Sequence, residues 1–388
     1  MNILIITATY PPSANGVAVS TKRTVSELRN RGHRVVVYGP KLMGVSESDY
    51  VSAPTIRIGL FGLRDYPIAI PHTVNAIVDK LPNINWDIIH VHHPVVAGPL
   101  ALKLGKKLRV PVVFTYHTRY DQYIEHFVGL PQFMKRSFHK WIYEHMLLST
   151  LRSFDGVIAT TTWLKDLLKK SIPGTPVYYA STAGLTKPFL TRRSKQSLRN
   201  ELGLPPDEPV FLSVSRLSKE KRTDILLSGF LHWADRHKKG MLVIIGDGAN
   251  RKHLEAMARK SPHLTRVKFM GKIPNEKLHD WYSCADVFLY SSITDTIGIN
   301  ILEAMSAGLP VVAPDHMTTR EIIVSGNSGV LYQGDALNMG SAIDTAFARR
   351  KSMAKHAIAV SKKYHVSITV GELTKIYETV IGTHKKHT

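Results

Sequence analysis

The chain has 388 residues, 44% of them apolar and 21% charged, with one cysteine, Cys284, and a formal net charge of +21. That length predicts about two domains, and the composition excludes a disordered, collagen-like or disulfide-stapled protein. The apolar runs are strand-sized, short of the roughly 20 residues a membrane span needs, and residues 1–12, MNILIITATYPP, lack the features of a secretory signal. A cytoplasmic protein is expected.

In chain order, strands are predicted at residues 2–7, 34–38, 55–58, 88–91, 112–116, 156–160 and 177–180. A second series falls at 210–213, 242–246, 267–271, 287–290, 310–313 and 330–332. Amphipathic segments of helical length separate them. Near-continuous Val/Ile/Leu strands alternating with helices describe parallel sheets buried on both faces, the doubly wound α/β class. Periodicity lapses at 181–197, STAGLTKPFLTRRSKQS, where Gly, Pro and basic residues gather. The expected domains are 1–182 and 190–366, both Rossmann-like, with a final segment 367–388 holding a helix near 370–381. Two such sheets facing across a cleft would bind a ligand beyond the carboxyl ends of their strands.

The positive charge points to an anionic partner: nucleic acid, an acidic membrane surface or a phosphorylated small molecule. It is uneven, since residues 131–200 carry twelve Lys and Arg against three acids. Within that region 132–152, QFMKRSFHKWIYEHMLLSTLR, places Met134, Phe138, Trp141, His145 and Leu148 at helical spacing beside Lys135, Arg136, His139 and Lys140. An interfacial helix has this pattern, and so does a helix packing its stripe on its own domain. No recognition helix, RNP-like aromatic pair or zinc-binding spacing supports nucleic acid.

Several strand ends carry candidate chemistry. The loop ATYPPSANGVA puts Gly16 just before a helix predicted at 19–31, where amides can approach an anion or a sugar, or simply turn the chain. No G-x-G-x-x-G follows that first strand, which weighs against a dinucleotide oxidoreductase. In SVSRLSKEKR, Arg216 and Lys221 lie five apart, so a loop can aim both cations at one phosphate, although such a loop is more often a solvated face. GDGANRKHLE places Gly246 after a strand, as a turn that clears space, and Gly271 ends the next one. HVHH puts His90 and His92 on one face, as core or cleft-lining residues in the absence of further metal ligands at suitable spacing. TYHTRYDQY carries Tyr116, His117, Arg119 and Tyr120 at another strand end.

In SSITDTIGINILEAMSAGLPVVAPD, Asp295 sits in a loop and Glu303 one turn inside a helix beginning at Gly298 or Ile299 and stopped by Gly308 and Pro310. Carboxylates accept hydrogen bonds from neutral hydroxyls, and the amides of Ile297, Gly298 and Ile299 can meet an anion. Hydroxyls together with a diphosphate describe a nucleotide sugar.

Taken with DIIHVHHP, FDGVIATT and the R-L-S-K-E-K element, this stretch resembles the E-x7-E motif of the retaining glycosyltransferases of family GT4, which have the GT-B fold. The resemblance implies that Glu303 binds the ribose hydroxyls, Asp295 the hydroxyls of the donor hexose, and Arg216 with Lys221 the diphosphate. It implies backbone room at Gly16, and contact of His117 with the transferred sugar, where it helps stabilise positive charge developing at the anomeric carbon. The Arg/Lys pair would stand in place of a metal, so no metal and no tightly bound cofactor is required. The final helix would cross back to the first domain. Two features depart from the family pattern: the first acid is Asp295 rather than Glu, and the linker reads STAGLTKPF where N-G-V-D or T-G-I-D is usual, keeping Gly184 but not the acid.

Within the family, TYHTRYDQY and the basic aromatic segment are most similar to the diacylglycerol glucosyltransferases. That implies a nucleotide-diphosphate-sugar donor, a lipid acceptor and a peripheral position on the inner membrane surface, with Tyr116, Arg119, Tyr120, Lys135, Arg136, Lys140 and Trp141 towards acceptor or membrane. A GT4 enzyme with a soluble sugar acceptor is the nearer alternative. A catalytically dead basic protein that binds nucleic acid or membrane is the remoter one.

Overall fold

A computed structural model describes the chain except for residues 12, 14, 42–48, 54, 57–67, 70–73, 95–96, 120–141, 183, 192 and 388. The chain divides into two compact units, Met1–Gly184 with Val366–Thr388, and Leu185–His365.

The first unit is built on seven strands: β1 (Asn2–Ile6), β2 (Arg34–Pro40), β3 (Tyr50–Ala53), and, after a short antiparallel pair of β4 (Thr55–Ile56) and β5 (Ile68–Ala69), β6 (Ile88–Val91), β7 (Val112–Tyr116), β8 (Gly156–Ala159) and β9 (Val177–Tyr179). The sheet order is β3-β2-β1-β6-β7-β8-β9, with every pairing parallel. Side chains of β1 divide between its faces as strand geometry requires. Leu4 and Ile6 join one apolar cluster with Val36, Phe114 and Leu151, while Ile3 and Ile5 join another with Val35, Val113 and Ile158. That second cluster is closed by helix Val366–His387, whose Val366, Val370, Leu373, Tyr377 and Val380 recur at three- and four-residue spacing.

The outer strand β3 was not anticipated. The sequence reading put a strand at 55–58, but the residues that extend the sheet are Tyr50–Ala53, before Pro54, while Thr55–Ile56 leaves the sheet to pair antiparallel with Ile68–Ala69.

The second unit holds β10 (Val210–Val214), β11 (Met241–Ile245), β12 (Val267–Gly271), β13 (Val287–Leu289), β14 (Val311–Pro314) and β15 (Gly329–Tyr332). Their order is β12-β11-β10-β13-β14-β15, all parallel, the doubly wound 3-2-1-4-5-6 pattern. Helices Thr223–Arg236 and Ala336–Ala348 cover one face, burying Phe230, Trp233, Met339 and Ile343 against Phe211, Leu242 and Val287. In both sheets the order of connection reverses beside the first strand, at β1/β6 and at β10/β13. The carboxyl ends at those points are where open α/β sheets leave a crevice.

Candidate active site

In the second unit the crevice at β10/β13 forms a pocket lined by Ser213, Ser215, Lys221, Tyr290, Ser291, Ser292 and Asn300. Lys221 ends a one-turn helix, Lys219–Lys221, and is followed by Arg222 in the left-handed region at φ +51°. A non-glycine residue held there is strained, and such strain gathers at functional sites. The Lys221 ammonium is bonded to Asp295 Oδ1, and the Tyr290 hydroxyl donates to Asp295 Oδ2 at 2.6 Å. Thr318 Oγ1, in helix Met317–Ile322 after β14, donates to the Asp295 carbonyl at 2.9 Å and so fixes the backbone that carries the carboxylate. Burial alone would raise the Asp295 pKa. The charge and hydrogen bond of Lys221, with hydrogen bonds from Tyr290 and Ser292, bring it below the ordinary carboxylate value. Burial and then the Asp295 charge push the Tyr290 phenol well above its ordinary value, so it stays a donor.

Glu303 lies on helix Ile299–Ser306, capped by Gly298, and is buried (5% exposed) while accepting from the Tyr282 hydroxyl at 3.2 Å. The two acids thus occupy separate surroundings. At Gly298 an added Cβ would lie 2.7 Å from Ile301 Cδ1, the far end of a side chain that would have to shift. At Gly246, φ is +135° and a Cβ would stand 1.8 Å from the Ser215 carbonyl oxygen, so only glycine lets the strand end pass this close to the pocket wall. Gly246 N–H donates to the Gly271 carbonyl at 2.8 Å, which joins those two positions. Ile297 and Ile299 flank Gly298 at the helix start.

The Arg216 guanidinium, 41% exposed, lies 3.5 Å from Glu220, whose carboxylate also accepts from Ser218 Oγ. Sequence spacing missed four residues: Tyr290, Tyr282, Thr318 and Asn300, the last donating to the Val214 carbonyl at 2.7 Å. Tyrosines inside apolar runs read as core, and nothing in the local sequence announces that their hydroxyls meet acids.

In the first unit, Gly16 is the first residue of helix Gly16–Asn30 and not merely the residue before it; Asn15 caps that helix by accepting from Ala18 N–H at 2.9 Å. At the β1/β6 crevice, Ala8 N–H donates to His93 Nδ1 at 3.1 Å. His90 and His92 do share a face, with ring centroids 4.2 Å apart. His90 bonds Tyr377 and Thr115 through its two nitrogens, each at 2.6 Å, and His92 Nδ1 lies 2.7 Å from His117 Nε2. Burial lowers all four imidazoles, His90 to about 3, His93 to about 4, and His92 and His117 well below the ordinary value. They are neutral at physiological pH.

The acceptor and membrane candidates fare unevenly. Tyr116 is 1% exposed and packs on Phe114 inside the core, a place that faces neither solvent nor a membrane. Arg119 is also buried, its guanidinium 5.1 Å over the Trp163 ring. Tyr120, Lys135, Arg136, Lys140 and Trp141 lie outside the described residues. Of the apolar stripe, Leu148 is buried against its own domain while His145 is exposed. Among the described residues no helix is long and apolar enough to cross a membrane, and no cluster of His, Cys, Asp or Glu could hold a metal ion.

Residues 14–180 match the family described as Glycosyltransferase Family 4, and residues 194–363 that described as Glycosyl transferases group 1. The chain is 28% identical over 376 residues to alpha-monoglucosyldiacylglycerol synthase of Streptococcus pneumoniae (strain ATCC BAA-255 / R6), covering 95% of this chain and 82% of that one. It is 25% identical to a GDP-mannose-dependent alpha-mannosyltransferase of Mycobacterium tuberculosis (strain CDC 1551 / Oshkosh), covering 85% and 83%. Among solved structures it is similar to sucrose-phosphate synthase from Thermosynechococcus elongatus (TM-score 0.79, 18% identity, 99% and 100% covered). It is similar also to Anabaena HepE in complex with UDP-glucose (TM-score 0.73, 18% identity, 98% and 100% covered). The sheet order, the pocket where Lys221 and Tyr290 bond Asp295, the buried Glu303 on the next helix, and these matches agree: the chain belongs to the GT4-type glycosyltransferases and has the GT-B fold.

Proposed function

We propose that the chain transfers glucose, with retention of configuration, from UDP-glucose to a membrane lipid acceptor such as diacylglycerol, working as a peripheral protein at the inner membrane surface. The observation that carries the donor half is the Lys221–Asp295–Tyr290 constellation beyond β10 and β13, with the buried Glu303 on the helix that follows the Asp295 loop. Glu303 takes the ribose hydroxyls, for which a buried carboxylate already accepting from one hydroxyl is suited. Asp295, held ionised, takes hexose hydroxyls. Lys221 and Arg216 meet the diphosphate, aided by amides at Ile297, Gly298 and Ile299. Gly246 and Gly271 keep the wall low for the donor.

In this mechanism the bond from the anomeric carbon to phosphate oxygen breaks as the acceptor oxygen bonds to the same face of that carbon. The acceptor proton passes to the leaving phosphate. Cations fixed before reaction stabilise that developing negative charge without reorganising, which is electrostatic catalysis. His117 contacts the transferred hexose, with backbone room supplied at Gly16. No protein nucleophile and no metal is called for.

The lipid acceptor draws support from the Streptococcus pneumoniae relative's name, and glucose with UDP from that name and the HepE complex. The mannosyltransferase relative favours a second reading, a different hexose and nucleotide on another acceptor. The test of the donor site is Glu303→Ala. Losing two charge-assisted hydrogen bonds to ribose removes about 3–4 kcal/mol of transition-state binding, a fall in kcat/KM of roughly two to three powers of ten. Near-normal transfer by a folded variant would refute the site. A donor and acceptor screen read by mass spectrometry decides between the readings.

A further inference from the structure

His92 is 2% exposed, and its Nε2 meets no hydrogen-bond partner among the described residues. Its other nitrogen, Nδ1, lies 2.7 Å from His117 Nε2, and the two rings stack at 5.0 Å. The His92 ring centroid also lies 4.2 Å from that of His90, with the rings tilted by 37°, and the His90 nitrogens are committed to Thr115 and Tyr377.

One proton must lie between His92 Nδ1 and His117 Nε2, since two lone pairs would repel and two N–H groups would clash. If it belonged to His117, the neutral His92 would carry its own proton on Nε2, as a buried donor with no acceptor. Orphaned buried N–H groups are among the rarest features of native proteins, and leaving one costs its full desolvation. With the proton on His92 Nδ1 the exposed defect is a bare lone pair, the cheaper of the two.

We propose that His92 is a positioning residue: its Nδ1–H donates to His117 Nε2 and fixes His117 as the neutral tautomer that carries its proton on Nδ1. The inference rests on the proposed contact of His117 with the transferred hexose. There, a neutral ring with a fixed Nδ1–H donates to a sugar oxygen. A protonated ring would set positive charge against the positive charge growing at the anomeric carbon. Burial of His117, with His93 and His90 nearby, acts in the same direction by holding its pKa well down.

The test compares His92→Phe, which removes the donor, with His92→Asn, whose amide can donate from near the Nδ1 position. Nitrogen-15 NMR of histidine-labelled protein, assigned with His117→Ala, reads the tautomer directly. Wild type and His92→Asn are expected to show His117 protonated on Nδ1, and His92→Phe a mixture of tautomers. In transfer assays His92→Phe is expected to lose kcat by tenfold or more with donor KM nearly unchanged, and His92→Asn to recover most of it. Unfolding midpoints show whether the Phe variant is folded; if it is not, the tautomer in His92→Asn and wild type still decides. An Nε2–H tautomer in wild type, or a folded His92→Phe with full kcat and an unchanged tautomer, overturns the inference. Normal transfer by His117→Ala would instead refute the reading of His117 while leaving the tautomer measurement standing.

Discussion

The first unit should lose stability in mild acid because it buries a neutral histidine that the unfolded chain would protonate. His90 is 1% exposed, faces Tyr377 from the last helix, Thr115 from β7 and the ring of His92, and has its pKa lowered by burial to about 3. In the unfolded chain it returns to an ordinary value of about 6.5. For this depressed histidine the unfolded state binds the extra proton between those values, so stability is complete above pH 6.5 and falls as pH drops towards 3. At pH 5 the gap is 1.5 units at 1.36 kcal/mol each, a loss of about 2 kcal/mol from this one ring. The perturbation is His90→Gln, which cannot titrate. Urea unfolding of wild type and variant is followed between pH 7.5 and 5, with hydrogen exchange of β6 and β7 amides reporting on this unit. Whatever the substitution costs at pH 7.5, the wild type should lose about 2 kcal/mol more than the variant on going to pH 5. Parallel stability curves would refute the reasoning, because they would mean that His90 takes its proton in the folded state.

Other expectations concern the second unit and the membrane. Lys221→Met and Asp295→Asn should each cut transfer sharply. Their double-mutant cycle should give a stability coupling on the order of 1–3 kcal/mol, measured by urea unfolding; additive effects would mean the pair is not formed in solution. Neutralising Lys135, Arg136 and Lys140 together should abolish sedimentation with anionic liposomes while leaving UDP-glucose binding in calorimetry unchanged. Retained sedimentation would move the membrane contact elsewhere.

The parallel strands were legible because burial on both faces writes them as unbroken apolar runs, as in MLVII for β11 or VVFTY for β7. The outer strand β3 was not, since YVSA has only Ala53 fully buried and carries no such run. The site was half legible for a related reason. Asp295 and Glu303 stand out as acids inside an apolar stretch, and Lys221 as a cation past a strand. The groups that hold them come from places the local sequence does not connect: Tyr290 sits within a buried run, Tyr282 on a helix 21 residues from Glu303, and Thr318 beyond the next strand. His92 reads as one of a row of core histidines until its partner 25 residues away is known. Hydroxyl and imidazole partners are set by tertiary packing, which leaves no spacing rule behind.

The excess of cations on this chain does not carry through to its two crevices, and that has a physical reason. A buried cation without a partner is costly, so at β10/β13 the Lys221 charge is met by Asp295, and at the ends of β6 and β7 the four histidines are held neutral by burial. Lys221 can still turn part of its hydrogen-bonding capacity to phosphate, because an ammonium has three donors and Asp295 Oδ1 takes one. Arg216, 3.5 Å from Glu220, is the more exposed of the two cations. The acid one methylene shorter than the family's usual Glu then acquires a rationale. Asp295 reaches both Lys221 and Tyr290 from a backbone pinned by Thr318, so the carboxylate is fixed before any sugar arrives.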